Sequence, residues 1–158
     1  MNTEITILAA GCFWGVEHSF RQLPGVIEVF SGYTGGNLEN PTYKQICSGT
    51  TGHAEAVQIT FNPDLILFEK LLDRFWSIHD PTQLNRQGPD IGSQYRSAIF
   101  YTNETQKNLA QSSLMAKQLQ GSFKSEIVTE ITQASTFWKA EDYHQRYIEK
   151  NGGGHCAI

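Results

Sequence analysis

The chain has 158 residues, of which 39% are hydrophobic and 18% are charged, values that are ordinary for one globular domain. Its net charge of −4 lacks the basic footprint of a nucleic-acid-binding protein, and no apolar run reaches the length that crosses a bilayer. Because residues 1–4 carry neither a positive region nor the apolar core of a signal peptide, we expect a cytoplasmic protein.

The predicted elements alternate between strands and helices, and no segment repeats. Apolar spacing and turn residues predict strands over residues 5–10, 26–30, 54–61, 95–102 and 127–131. The same signals predict helices over residues 16–21, 65–79, 103–120 and 140–151. Long loops are expected over residues 31–51 and 81–93, and loops of this length inside a compact domain usually carry function.

This order of elements predicts an α+β fold, a two-layer sandwich of helices on a mainly antiparallel sheet. A β-α-β unit with its two strands separated by another strand is a plausible core. We expect residues 1–151 to form a single catalytic domain. Residues 152–158 are expected to form a flexible C-terminal tail that carries Cys156.

The pentapeptide at residues 11–15, GCFWG, places Cys12 between the first predicted strand and the first helix. Unpaired N–H groups at a helix N-terminus favour negative charge, so we expect part of the Cys12 thiol to be thiolate, the reactive form. Phe13 and Trp14 add two apolar faces that a methyl or thioether group would use. The alternative is that Cys12 is a small buried hydrophobe and the two rings belong to the core.

Glu55 shares a strand face with three apolar residues, Val57, Ile59 and Phe61. If that face is buried, desolvation raises the pKa of Glu55 and keeps it protonated near neutral pH, as a general acid requires. If the strand begins in solvent instead, Glu55 is an ordinary hydrated carboxylate.

Three polar residues lie at the edges of the two long loops, Tyr43, Tyr95 and Asp90. The two phenols could donate hydrogen bonds to a substrate oxygen, and Asp90 could orient one of them. The alternative is that the tyrosine rings only pack and that Asp90 forms a turn.

The chain has three cysteines, which are too few and too scattered for a disulfide framework. Cys156 follows three glycines, so a flexible arm could bring a second thiol to Cys12, or Cys156 is an exposed thiol in a frayed end. Cys47 is expected to be a small buried residue. His53, His79 and His144 lack a metal-binding motif and are expected to be structural or exposed.

The GCFWG pentapeptide resembles the signature of A-type peptide methionine sulfoxide reductases, the peptide-methionine (S)-S-oxide reductases. The resemblance continues in the family's order through SGYTGG at 31–36, PTY at 41–43, GHAE at 52–55, GSQYRS at 92–97 and AEDYHQ at 140–145. It therefore extends over nearly the whole chain.

The resemblance implies a catalytic role for five residues. Cys12 would be the nucleophile, and Glu55 the acid that protonates the sulfoxide oxygen. Tyr43 and Tyr95 would hydrogen-bond that oxygen. Cys156 would be the resolving thiol, although the C-terminal end is where members of the family differ most.

The resemblance also implies the substrate, its binding residues and the partner. Phe13 and Trp14 would hold the methyl group of the S epimer of methionine sulfoxide, free or in proteins, and Asp90 would support the site. A thioredoxin-like protein would restore the thiols after repair of oxidised proteins, without metal, flavin or nucleotide. We expect a monomer with ferredoxin-like character in its sheet.

Two other classes of function remain possible from the residues alone. A thiol hydrolase or acyl transferase would need a histidine base at Cys12, for which His18 is a weak candidate. A redox-sensing module would instead dock apolar peptides on Phe13 and Trp14 without turnover.

Overall fold

The computed structural model describes residues 2–152, in which eight strands and five helices alternate. The strands are β1 (Glu4–Ala10), β2 (Val26–Thr34), β3 (Ala54–Phe61), β4 (Arg86–Gln87), β5 (Asp90–Ile91), β6 (Ser97–Tyr101), β7 (Glu130–Gln133) and β8 (Trp138–Lys139). The helices are α1 (Phe13–Arg21), α2 (Tyr43–Cys47), α3 (Phe68–Ser77), α4 (Glu104–Gln120) and α5 (Tyr147–Asn151).

Six of these strands form one sheet in the order β7-β6-β1-β3-β2-β8, while β4 and β5 pair as a separate short hairpin. β3 lies antiparallel between β1 and β2, which therefore run in the same direction and are joined through α1. Only the β6–β7 pair is parallel among the pairings of residues 2–152. The prediction of an α+β fold with a mainly antiparallel sheet is confirmed.

The two faces of the sheet are covered differently. One face carries the larger core, in which the apolar sides of α1 and α3 cover side chains of the central strands. The other face is lined by alanines together with Ile7 and Phe100, and Ala134 and Phe137 pack against it. Since alternate residues of a strand point to opposite faces, one set of β3 side chains packs into the larger core and the other set packs into the smaller one.

The helix α4 begins and ends as its sequence predicts. The side chain of Asn103 accepts a hydrogen bond from the Gln106 N–H at 2.8 Å, and Gly121 adopts the left-handed conformation that closes the helix. Within the described part of the chain, no helix is both long and apolar enough to cross a membrane.

The prediction of a continuous loop over residues 31–51 was wrong for two segments. Residues 31–34 extend β2, because their backbone pairs with β3 up to the Thr34–Ala54 pair despite their polar side chains. Tyr43–Cys47 form α2, which begins at a capping box between Thr42 and Gln45. Cys47 is exposed, contrary to prediction, because only Ile46 of this surface helix is buried.

The predicted last helix over residues 140–151 was also wrong, because only Tyr147–Asn151 is α-helical, after a 3₁₀ turn at Asp142–His144. Arg146 interrupts the helix with φ of 55°, and its N–H donates to the buried Glu17 carboxylate at 2.9 and 3.0 Å. That carboxylate also accepts hydrogen bonds from Ser31 and Arg21. The hydrogen bonds that the Arg146 N–H donates to this buried carboxylate thus offset the free-energy cost of the left-handed backbone at Arg146.

The loop predicted over residues 81–93 contains the β4–β5 hairpin, and the short strand β8 was not predicted. The other differences are shifts of element ends. The third helix begins at Phe68 rather than at residue 65, and the strand predicted over residues 127–131 is Glu130–Gln133. The strand predicted from residue 95 begins at Ser97, because Tyr95 belongs to a 3₁₀ turn. Cys156 lies outside the described residues.

Candidate active site

Cys12 lies at the junction of β1 and α1, as predicted. β1 ends in five buried residues, and Gly11 then turns the chain with φ of 97° into Cys12, the residue that precedes α1. A Cβ atom on Gly11 would lie 2.9 Å from Cγ of Gln87, so the β4–β5 hairpin packs directly against this turn. The half-buried sulfur of Cys12 therefore lies beside the first-turn N–H groups of a helix, which favour the thiolate when this cysteine is reduced.

Glu55 is buried beside Cys12. Its side chain is 1% exposed, and one carboxyl oxygen accepts a hydrogen bond from the Phe13 N–H at 3.1 Å. Burial raises the pKa of Glu55 to about 8; the hydrogen bond from Phe13 opposes this shift, and the negative charge of Asp90 adds to it. The structure thus supports the buried alternative, in which Glu55 carries a proton at neutral pH next to the cysteine.

Tyr43 and Tyr95 surround the same carboxyl group. Burial, together with the charges of Glu55 and Asp90, raises the pKa of Tyr95 to about 12. Burial also raises the pKa of Tyr43, with the charge of Glu55 as the next cause. Both phenols therefore remain protonated donors, and the structure places three predicted residues (Tyr43, Tyr95 and Asp90) within electrostatic reach of Glu55.

Asp90 enters the site from the short hairpin. It is half-buried in β5, and burial raises the pKa of its carboxyl group. The hairpin is held by Gln87, whose side-chain amide bonds the Asp80 N–H and carbonyl at 2.9 Å each. Asp90 thus acts on Glu55 and Tyr95 through its charge rather than as a turn residue alone.

Phe13 and Trp14 differ in exposure. Phe13 is 1% exposed and packs against Tyr33 and His144 at ring-centroid distances of 5.6 and 5.1 Å. Trp14 is half-buried and stacks on Tyr147 at 3.8 Å with an interplanar angle of 7°. Of the two predicted apolar faces, Trp14 is therefore the one that solvent or a ligand reaches, and Phe13 supports it from the core.

Glu141 and His144 contact these residues and were not singled out by the sequence. One Glu141 oxygen accepts the Tyr33 hydroxyl at 2.8 Å, and the other accepts the Tyr43 N–H at 2.9 Å. His144 accepts the Trp14 indole N–H at 2.9 Å. The only available signal was their position in the AEDYHQ segment, which carried the family resemblance without a role for either residue.

The histidine base that a thiol hydrolase needs is not His18. His18 is exposed in the last turn of α1 and lines a surface cavity together with Arg21 and Arg146, which Cys12 does not line. His79 is buried and is hydrogen-bonded to the Ser97 hydroxyl and the Phe75 carbonyl. Among residues 2–152, no group of three or more His, Cys, Asp or Glu side chains is placed to hold a metal ion.

Comparisons with known proteins agree with this geometry. A cysteine next to a buried, protonated carboxyl is the arrangement expected of a thiol-dependent enzyme. A family model described as Peptide methionine sulfoxide reductase matches residues 4–158. The chain belongs to this family.

Individual relatives cover nearly the whole chain. It is 58% identical over 149 residues to the peptide methionine sulfoxide reductase MsrA of Acidobacterium capsulatum, covering 94% of this chain and 96% of the relative. The crystal structure of Mxr1 from Saccharomyces cerevisiae in reduced form superimposes with a TM-score of 0.90 at 35% identity, covering 98% and 88% of the two chains. Mxr1 in complex with Trx2 gives a TM-score of 0.64 at 26% identity, covering 92% and 84%.

Proposed function

We propose that the chain reduces the S epimer of methionine sulfoxide, free or in proteins, to methionine by thiol chemistry, as a peptide-methionine (S)-S-oxide reductase. The observation that carries the proposal is the protonated Glu55 carboxyl, hydrogen-bonded to the N–H that directly follows Cys12. A sulfoxide sulfur is a poor electrophile until its oxygen is protonated. A buried acid beside a nucleophile supplies what this reaction needs.

In the first step, the Cys12 thiolate attacks the sulfoxide sulfur while Glu55 gives its proton to the oxygen. Tyr43 and Tyr95 donate hydrogen bonds to the same oxygen, and Trp14 receives the methyl group. The substrate sulfur gains two electrons and leaves as methionine. The Cys12 sulfur loses two electrons and keeps the hydroxyl as sulfenic acid.

In the second step, the Cys156 thiol attacks the Cys12 sulfenic acid, which forms a disulfide and releases water. A thioredoxin-like dithiol protein then reduces that disulfide and becomes a disulfide itself. The Trx2 complex of the structurally similar Mxr1 supports such a partner. No step calls for a metal, flavin or nucleotide.

The proposal has four further parts. The enzyme repairs proteins after oxidative damage and works as a cytoplasmic monomer. Residues 1–151 form the catalytic domain, and Cys156 follows it in the segment 152–158. The order β6-β1-β3-β2 of the central strands, with α1 and α3 as the crossings, supports a ferredoxin-like core.

The test is to incubate the enzyme with dithiothreitol and with each methionine sulfoxide epimer separately, and to measure methionine. We expect methionine from the S epimer and none from a Cys12→Ser variant. Turnover by that variant would refute the nucleophile assignment. Oxidation of the protein without release of methionine would favour a redox-sensing module instead.

The resolving step is tested with a matched pair of thiol variants. Cys156→Ser should release about one methionine per enzyme and then stop when thioredoxin is the only reductant. Cys47→Ala, which removes an exposed thiol on α2, should recycle normally. Normal thioredoxin-driven turnover of Cys156→Ser, or loss of recycling in Cys47→Ala, would assign the second thiol to a different cysteine.

A further inference from the structure

His144 is buried at the centre of the aromatic residues that flank Cys12. It has no exposed surface, and its ring lies 5.1 Å from the Phe13 ring and 4.4 Å edge-on from the Tyr43 ring. The exposed Tyr143 ring covers it at 4.1 Å. One buried side chain thus touches residues from α1, α2 and the C-terminal segment.

The hydrogen bond to Trp14 fixes the state of His144. An indole N–H only donates, so Nδ1 of His144 must accept it, at 2.9 Å, and the proton of the neutral ring lies on Nε2. Burial lowers the pKa of His144, which agrees with a neutral ring. Nε2 is buried and has no hydrogen-bond partner among residues 2–152.

An unpaired buried N–H donor is unfavourable, and a phenylalanine ring would fill the same space without it. Packing therefore does not account for a histidine at this position. What a phenylalanine cannot supply is the acceptor atom that faces the Trp14 indole.

Two of the contacts that Trp14 makes act on the orientation of its ring. The stack on Tyr147 fixes the plane of the indole but allows it to slide and rotate within that plane. The hydrogen bond to Nδ1 removes that freedom, because it holds one edge of the ring at one place. Trp14 is half-buried, so without the acceptor its N–H would bond water in other orientations.

We propose that His144 is a positioning residue for substrate binding, which holds the Trp14 indole in the orientation that receives the methyl group of methionine sulfoxide. This rests on the proposed function, since Trp14 is given the methyl-binding role there. His144 takes no part in proton transfer to the sulfoxide, and its effect therefore falls on KM rather than on kcat.

The first test replaces the imidazole of His144 by an apolar ring of similar shape. His144→Phe should raise KM for methionine sulfoxide about fivefold, the worth of one ordinary hydrogen bond, with kcat within twofold and a thermal unfolding midpoint at least as high as before. In a Trp14→Phe background the same substitution should change KM no further. An unchanged KM, or an equal effect without Trp14, would overturn the proposal.

The second test uses two variants of His144 that carry the same side-chain amide group at different distances from the backbone. The side-chain oxygen of His144→Asn can occupy the place of Nδ1, whereas His144→Gln puts its amide near Nε2. We expect the Asn variant to recover most of the lost affinity and the Gln variant to recover none, which keeps the test valid if His144→Phe fails to fold. Equal KM values for Asn and Gln would contradict the positioning role.

A third measurement is independent of activity. The indole ¹H–¹⁵N signal of Trp14, assigned with the Trp14→Phe variant, should lie downfield in the wild type and in His144→Asn, and move upfield in His144→Phe and His144→Gln. If the wild type reduces neither epimer, the proposed function fails while this hydrogen bond is still measured. A Trp14 signal that does not respond to His144→Phe would overturn the inference even in an active enzyme.

Discussion

Glu55→Gln removes the acidic proton of this side chain but keeps its size and shape. The amide keeps an oxygen that can accept the Phe13 N–H, and it fills the same buried space on β3. It cannot give a proton to a sulfoxide oxygen. The substitution should therefore slow the first chemical step and at the same time stabilise the folded protein.

The size of the stabilisation follows from proton linkage. The pKa of Glu55 is raised from 4.5 to about 8 in the folded protein, so above pH 4.5 the unfolded chain releases a proton that the folded chain retains. The wild type thus has its full stability below pH 4.5 and loses it as pH rises toward 8. At about 1.4 kcal/mol per pH unit, the loss is about 1 kcal/mol at pH 5, about 3 at pH 7 and about 5 at pH 9.

The assay is urea unfolding of the wild type and of Glu55→Gln at these three pH values. The difference in free energy of unfolding should rise by about 4 kcal/mol from pH 5 to pH 9, since titrations shared by both proteins cancel. Glu39→Gln, which changes an exposed carboxylate, should show no such trend. Single-turnover release of methionine should fall ~10²–10⁴-fold in Glu55→Gln. A stability difference that is constant with pH would refute the buried acid.

Three other predictions concern the hydrogen-bond donor Tyr95, the buried His79 and the turn at Gly11. Tyr95→Phe should slow single-turnover methionine release by ~10²-fold through loss of one hydrogen bond to the sulfoxide oxygen; an unchanged rate would remove Tyr95 from the site. Burial lowers the pKa of His79 to about 4, so the contribution of His79 to the free energy of unfolding should fall by up to about 3 kcal/mol as pH drops from 6.5 to 4; urea titrations should show it as a difference between the wild type and His79→Gln that changes by this amount, because the Glu55 titration is common to both and cancels. Gly11→Ala and Gly121→Ala both place a side chain at positive φ, but only at Gly11 does the new Cβ meet a neighbour, Gln87 at 2.9 Å. Gly11→Ala should therefore cost more in thermal stability and should alone reduce activity, whereas equal losses would mean that the hairpin does not depend on this contact.

The sequence could predict the parts of the site that local pattern determines. The position of Cys12 follows from a strand that changes into a helix. The apolar alternation of one strand placed Glu55 on the face of Val57, Ile59 and Phe61 but left open whether that end of the strand is buried. Glu141 and His144 could not be found this way, because their partners Tyr43 and Trp14 lie 98 and 130 residues away in the chain. The resemblance named their segment, but only tertiary packing shows what each side chain holds.

The same reason explains why the C-terminal part of the fold was predicted poorly. Residues 140–151 have helical spacing, yet the hydrogen bonds of this segment go to other elements. The Gln145 side chain bonds both the N–H and the carbonyl of Ser31 at 2.9 Å, and the Arg146 N–H bonds Glu17.

A continuous helix would satisfy those groups within itself and deprive the buried Glu17 carboxylate of the two hydrogen bonds from the Arg146 N–H, which is unfavourable for a buried charge. The segment therefore gives up helical hydrogen bonds to join α1, β2 and α2. In doing so it places Glu141 under Tyr43 and His144 beside Trp14. The residues that hold the proposed site together thus come from a stretch whose local sequence favours a different structure, and only contacts to distant elements decide between the two.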